Sequence, residues 1–159
     1  MLLAAEQGDN RARNDIGHIY EKGLGREVDL DLAMNWYRRA AEDGLGFAMS
    51  NVGRLHEEGL GVEPDLVAAA DWYRRSATDG SRTGMFNLGR MHEDGTGVEQ
   101  SDVLAAMLFF VAEEKGHEDA GARLAGLEAQ MSEPDIQKAR ALAAQCLAGE
   151  PENCIAGRE

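Results

Sequence analysis

Two short runs, His56-Glu57-Glu58 and His92-Glu93-Asp94, set an imidazole beside carboxylates, the donor types that hold divalent cations. A helical zinc-protease site would need a second histidine four residues after the first, and Leu60 and Thr96 stand there instead. Both histidines fall where an earlier copy of the same pattern carries Tyr20, so they read as packed aromatic substitutes. No serine is followed three positions later by lysine, and no Gly-x-Ser-x-Gly elbow occurs. The Gly-x-Gly pairs Gly23/Gly25, Gly59/Gly61 and Gly95/Gly97 lack the third glycine and the preceding strand of a phosphate loop, so they read as helix terminators. The reading is non-catalytic, with no catalytic residue, cofactor or metal.

The elements that must position these residues recur. Gly53 to Gly80 has a near copy 36 residues upstream and another 36 residues downstream, without insertions. Gly17, Gly23, Gly25, Ala33, Trp36, Tyr37, Ala40 and Gly44 align with Gly53, Gly59, Gly61, Ala69, Trp72, Tyr73, Ser76 and Gly80, and then with Gly89, Gly95, Gly97, Ala105, Leu108, Phe109, Ala112 and Gly116. A constant period over three units is the signature of a solenoid, whose core is shared between neighbouring modules.

Within each unit, apolar residues at helical spacing define a first helix: Ala12, Ile16, Ile19 and Tyr20, then Ala48, Val52, Leu55 and His56, then Gly84, Leu88, Met91 and His92. Asp29, Asp65 and Ser101 stand as N-caps of a second helix, expected over 29–42, 65–79 and 101–115, with Ala33, Trp36, Tyr37 and Ala40 as its inward stripe in the first copy. Gly17, Gly53 and Gly89 lie inside the first helix, where glycine costs about 1 kcal/mol relative to alanine. Close approach of the second helix, with Ala33, Ala69 and Ala105 opposite, is the expected offset. The third unit has Leu108-Phe109 for Trp-Tyr and Glu113 for the second alanine, and is expected to pack less like its neighbours.

The organisation is then residues 1–8 as the end of a preceding second helix, repeats at 9–44, 45–80 and 81–116, a half repeat at 117–130, a capping helix at 131–148 and a polar tail at 149–159. Ala4, Ala5, Glu6 and Gly8 occupy the frame of Ala40, Ala41, Glu42 and Gly44, so the chain starts inside a repeat. Either a further portion precedes it, the favoured reading, or the array opens on a half-helix. Cys146 and Cys154 are placed either to form a disulfide tying tail to cap or to remain two thiols. A net charge of -13, from 29 acidic and 16 basic residues, argues against nucleic acid and anionic membranes. No apolar run approaches the ~18 residues of a membrane span. The reading is a soluble protein, cytoplasmic or periplasmic according to any residues upstream.

The series GLGVEPDLVAAADWYRRSATDG, preceded by AMSNVGRLHEEG and echoed by GMFNLGRMHEDGTGVEQSDVLAAM, resembles the Sel-one-like repeat family, relatives of the tetratricopeptide repeats. The resemblance covers residues 4–125 and implies an all-α fold, a right-handed alpha-alpha superhelix of antiparallel helix pairs, used as an adaptor or scaffold in signalling and complex assembly. It implies a concave groove lined by the first helices, at Arg11, Asn14, His18 and Glu21, then Phe47, Ser50, Arg54 and Glu57, then Thr83, Phe86, Arg90 and Glu93. Arginines over acids would give that groove a basic upper band and an acidic lower band, suited to a protein or peptide partner. Asn51 and Asn87 recur beside it. The arginine pairs Arg38-Arg39 and Arg74-Arg75 are either solvated charge or a basic strip on the outer face. The rival role is structural, with self-association through the N-terminal end.

Overall fold

A computed structural model describes residues 1–149 and Ile155. Among them run helices and no strands: α1 (Leu2–Glu6), α2 (Asn10–Lys22), α3 (Leu30–Glu42), α4 (Gly46–Glu58), α5 (Leu66–Thr78), α6 (Arg82–Asp94), α7 (Asp102–Glu114), α8 (Ala120–Glu128) and α9 (Glu133–Leu147). Helices α2/α3, α4/α5 and α6/α7 form successive pairs, and each second helix also packs on the first helix of the next pair. The result is the all-α solenoid that the period implies. No helix among the described residues is long and apolar enough to cross a membrane.

The local chemistry repeats with the sequence. Each first helix stops at a glycine in the left-handed region, Gly23, Gly59 and Gly95 at φ 66, 67 and 66°, a geometry that costs glycine little. The loop is then locked, because the N–H of Asp29, Asp65 and Ser101 donates to the carbonyl of Tyr20, His56 and His92 at 2.9–3.0 Å. The side chains of the same three residues accept from the third helical N–H beyond, those of Leu32, Ala68 and Leu104. One residue therefore closes the loop and caps the next helix.

Between paired helices, the glycine inside the first helix meets a ring. A Cβ on Gly53 would lie 2.8 Å from the Tyr73 ring and 3.2 Å from the Ala69 carbonyl oxygen; one on Gly17 would lie 2.7 Å from Tyr37, and one on Gly89 2.7 Å from Phe109. The second helix does approach these glycines closely, and the nearest group on each bare backbone is an aromatic ring, with the Ala69 backbone also close at Gly53. Tyr37, Tyr73 and Phe109 are the largest fully buried side chains. Trp36 and Trp72 lie at the edge of the inward stripe, packed against the core clusters of the preceding joints. They are half-buried, with the Arg39 and Arg75 guanidinium groups 4.7 and 4.0 Å from their ring centroids.

The third pair packs like the others at its ring, contrary to expectation, because Phe109 keeps the shape of the tyrosines against Gly89. What differs is α7 itself, buried from Ala105 through Phe109 and again at Val111 and Ala112. Both α8 and α9 cover it. Ala120, Leu124, Leu127, Ala139 and Ala143 continue the same core, so the last helices close the array's end. The tail is not wholly polar in role: Ile155 is 8% exposed and belongs to that core. The remainder of the tail, Cys154 included, lies outside the described residues.

Candidate functional site

Charged residues on the first helices are joined across neighbouring repeats. Glu21 Oε2 accepts from Arg54 Nη2 at 2.6 Å, Glu57 Oε1 from Arg90 Nη2 at 2.5 Å, and Glu93 Oε2 from Arg123 Nε at 2.7 Å. In the first two cases the buried tyrosine of the same repeat adds a bond: Tyr37 Oη donates to Glu21 at 3.0 Å and Tyr73 Oη to Glu57 at 2.7 Å. Phe109 has no hydroxyl to give. The expected basic and acidic bands are therefore replaced by a ladder of rungs, each tying one repeat's Glu to the next repeat's Arg.

The electrostatics follow from this geometry. Burial alone would raise the Glu21 carboxyl, but Lys22, Arg54 and Tyr37 together outweigh it and hold it below the ordinary carboxylate value. Lys22 Nζ lies 2.5 Å from Oε1 without hydrogen-bond geometry. Burial and the facing carboxylates Glu21 and Glu57 push Tyr37 and Tyr73 well above the ordinary phenol value, so both remain donors. Burial opposes the charge on Arg54, and Glu21 and Glu58 more than restore it.

Above the ladder, at the N-terminal ends of α2, α4 and α6, lies an open groove of about 620 Å³. Arg11, Asn14 and Asp15 of α2, Phe47 of α4, Asp79 at the end of α5, and Arg82 and Lys115 border it. Phe47 is 55% exposed, an unusual state for a ring in a chain that buries its other aromatic rings wholly or in part. Asp79 Oδ2 accepts from the Gly46 N–H at 3.1 Å and so anchors the first turn of α4, which has no side-chain cap of its own. Arg82 Nη1 donates to the Gly116 carbonyl at 2.8 Å.

Of the residues expected on the concave face, Arg11, Asn14 and Phe47 meet at this groove. Asn14 also accepts from Asn51 Nδ2 at 2.9 Å. His18 is exposed on the next turn of α2, apart from the groove lining. Thr83 is half-buried. Arg54, Glu57, Arg90 and Glu93 are held in the rungs. Phe86 stacks on His117 at 4.1 Å and tilts against Phe109, as packing between helices would have it. Ser50 is corrected: it is 4% exposed and its hydroxyl bonds that of Ser76 at 2.7 Å, inside the core.

Sequence reasoning missed Asp15, Asp79, Arg82, Lys115 and Arg123. A signal existed for Lys115, which reverses the charge of Asp43 and Asp79 at the same place in the repeat. None existed for Arg123, since the repeat frame puts Gly126 there and the arginine arrives from one turn earlier. The histidines are structural neighbours of arginine and backbone: His56 Nε2 lies 3.3 Å from Arg38 Nη2, and His92 Nδ1 lies 3.0 Å from the Glu99 carbonyl oxygen. Among the described residues, no group of three or more His, Cys, Asp or Glu is arranged to hold a metal ion.

Comparison with known proteins gives a consistent picture. The family model described as Sel1 repeat matches residues 10–45, 46–81 and 83–117. The comparison with curated proteins gave no match. Among solved structures, a Sel1 repeat protein from Oxalobacter formigenes is 36% identical with a TM-score of 0.70, over 77% of this chain and 92% of that one. A protective antigen of uropathogenic Escherichia coli strains, displaying an SLR fold, is 32% identical with a TM-score of 0.75 over 97% of this chain. This chain spans 34% of that antigen's length. Cysteine-rich protein B of Helicobacter pylori, at 24% identity and TM-score 0.63 over 77% of this chain and 94% of its own, shares the fold.

Proposed function

Because the chain belongs to the Sel1 repeat family, we propose that it is a non-catalytic adaptor that holds a peptide segment of a protein partner in the groove around Phe47. Sel1 repeat proteins generally mediate protein–protein interaction. The observation that carries the reading is the division of labour on the first helices: the charged residues below are bound to one another, whereas Phe47 stands 55% exposed in an open groove. An aromatic ring that stays in water when its fellows are covered gains free energy from any apolar partner surface laid over it. Substituting Phe47→Asp with Arg11→Glu tests the groove, since neither side chain supports the fold. Partner retention should fall at least tenfold with the circular dichroism spectrum unchanged. Retention equal to the unsubstituted chain removes the groove from consideration.

A second reading, self-association through the N-terminal face, has its own support. Leu24 is 56% exposed, while its counterpart Leu60 packs against the core between the first two repeats. A Cβ on Gly61 would meet the Leu30 backbone at 2.9 Å, whereas one on Gly25 would meet nothing within 4 Å. Ile16, Ile19 and Tyr20 border an apolar hollow there with Met1 and Leu2. Light scattering across a hundredfold concentration range separates the readings. A constant monomer mass excludes self-association.

A further inference from the structure

Most cations of this acidic chain are already engaged. Of the 16 Lys and Arg, all but Arg158 lie among the described residues. Arg13, Lys22, Arg54, Arg74, Arg90, Arg123 and Arg140 sit beside carboxylates, and Arg26, Arg39 and Arg75 lie over aromatic rings. That leaves Arg11, Arg38, Arg82, Lys115 and Lys138. Three of these five, Arg11, Arg82 and Lys115, border the one groove that holds Phe47.

The geometry of the cluster is specific to the third repeat. Lys115 occupies the frame of Asp43 and Asp79, and Arg82 that of Asn10 and Gly46. Lys115 Nζ lies 4.0 Å from the Cβ position of Gly80, and Arg82 Nη1 lies 3.2 Å from that of Gly116, so both exposed cations sit beside bare glycine turns. Two acids share the groove. Asp79 is spent on the Gly46 N–H, and Asp15 is exposed on α2. The lining therefore keeps a net positive charge in a molecule of net charge -13.

Resting on the groove reading above, we infer that the occupant is an extended segment bearing an apolar side chain flanked by carboxylates, the apolar group on Phe47 and the carboxylates at Arg11 and the Arg82/Lys115 pair. The overall negative charge repels a long acidic run at a distance, so the fitting partner carries one or two acids beside the apolar residue and is not acidic as a whole.

The test uses the isotope-labelled full chain and three blocked peptides: Gly-Ser-Glu-Leu-Phe-Glu-Ser-Gly and its counterparts with both glutamates replaced by glutamine or by lysine. The glutamate peptide should move the amide resonances of Gly46, Phe47, Gly80 and Lys115 and bind about threefold to tenfold tighter than the glutamine peptide. The gap should close in high salt, where exposed charges are screened. Arg11→Gln with Lys115→Gln should abolish it, and each single variant should lose part of it, with the helical spectrum unchanged. A lysine peptide that binds as tightly at those amides, or a gap that survives the double variant, overturns the acidic preference and leaves the groove standing. Failure of all three peptides to move those amides removes the groove itself.

Discussion

The joint between the first and second repeats and the joint behind the third use the same pair of charges in different company. At the first, Glu21 has a 3% exposed side chain, receives Tyr37 from below and Arg54 from the next repeat. At the last, Glu93 is 22% exposed, has Phe109 where the tyrosine was, and meets an arginine that belongs to a different frame. The middle joint shares a feature with each: Glu57 is as exposed as Glu93, at 22%, yet is bonded by Tyr73 as Glu21 is by Tyr37. The lesson is that the tyrosine hydroxyl adds a bond to a rung whose exposed ion pair alone contributes little, while how deeply the glutamate is buried is set separately. The last joint compensates with apolar burial of α7 under α8 and α9.

The largest effect should come from cutting the first rung. Glu21→Ala leaves Arg54 and the Tyr37 hydroxyl without their shared acceptor and should cost about 3 kcal/mol in urea unfolding. Glu93→Ala, with no tyrosine to orphan, should cost about 1 kcal/mol; equal losses would erase the distinction between the joints. Next come the ring contacts. Gly53→Ala should cost about 2 kcal/mol and Gly89→Ala about 1 kcal/mol, since a shift of Tyr73 would also strain its bond to Glu57 and Phe109 has no such bond to lose. Then Tyr73→Phe should cost about 1 kcal/mol, and Phe109→Tyr should leave stability unchanged or raise it by supplying Glu93 with the missing donor.

The smallest effect is in the pH dependence. Burial, aided at His56 by Arg38, holds His56, His92 and His117 below their ordinary 6.5, so their neutral forms support folding above that pH and the support is lost as pH falls below it. Glu21 is also depressed, so its contribution is present above the ordinary carboxylate value of 4.5 and is lost as pH falls through its folded value. Melting temperature should therefore decline in two stages on acidification. Glu21→Gln should remove the second stage alone, and a variant that keeps both stages would mean that the first rung carries no charge-dependent stability.

The array was legible because its determinants are local or strictly periodic. A glycine stop, an Asp or Ser cap and a helical stripe each act within a few residues, and the 36-residue period repeats them. The rungs were not legible, because their partners lie 33 residues apart for Glu21–Arg54 and Glu57–Arg90, and a charged helix residue looks the same whether it faces water or an opposite charge. Ser50 was misplaced for a related reason. Its partner Ser76 replaces Ala40 and Ala112 of the other repeats, and two small polar residues departing from the frame together were the sign of a buried contact. Phe47 was visible because nothing in its frame requires a ring: Arg11 and Thr83 stand in its place.

The rung also bears on how such a chain could lengthen. A tandem duplication of residues 45–80 would bring one new Arg54 and one new Glu57, and each would find its partner at once: the old Glu57 takes the new arginine, and the new Glu57 takes Arg90. Copying a length that is not a whole number of repeats would break this register. The unit of inheritance in this gene is thus self-complementary, so an array built this way can grow without any change to its pairing.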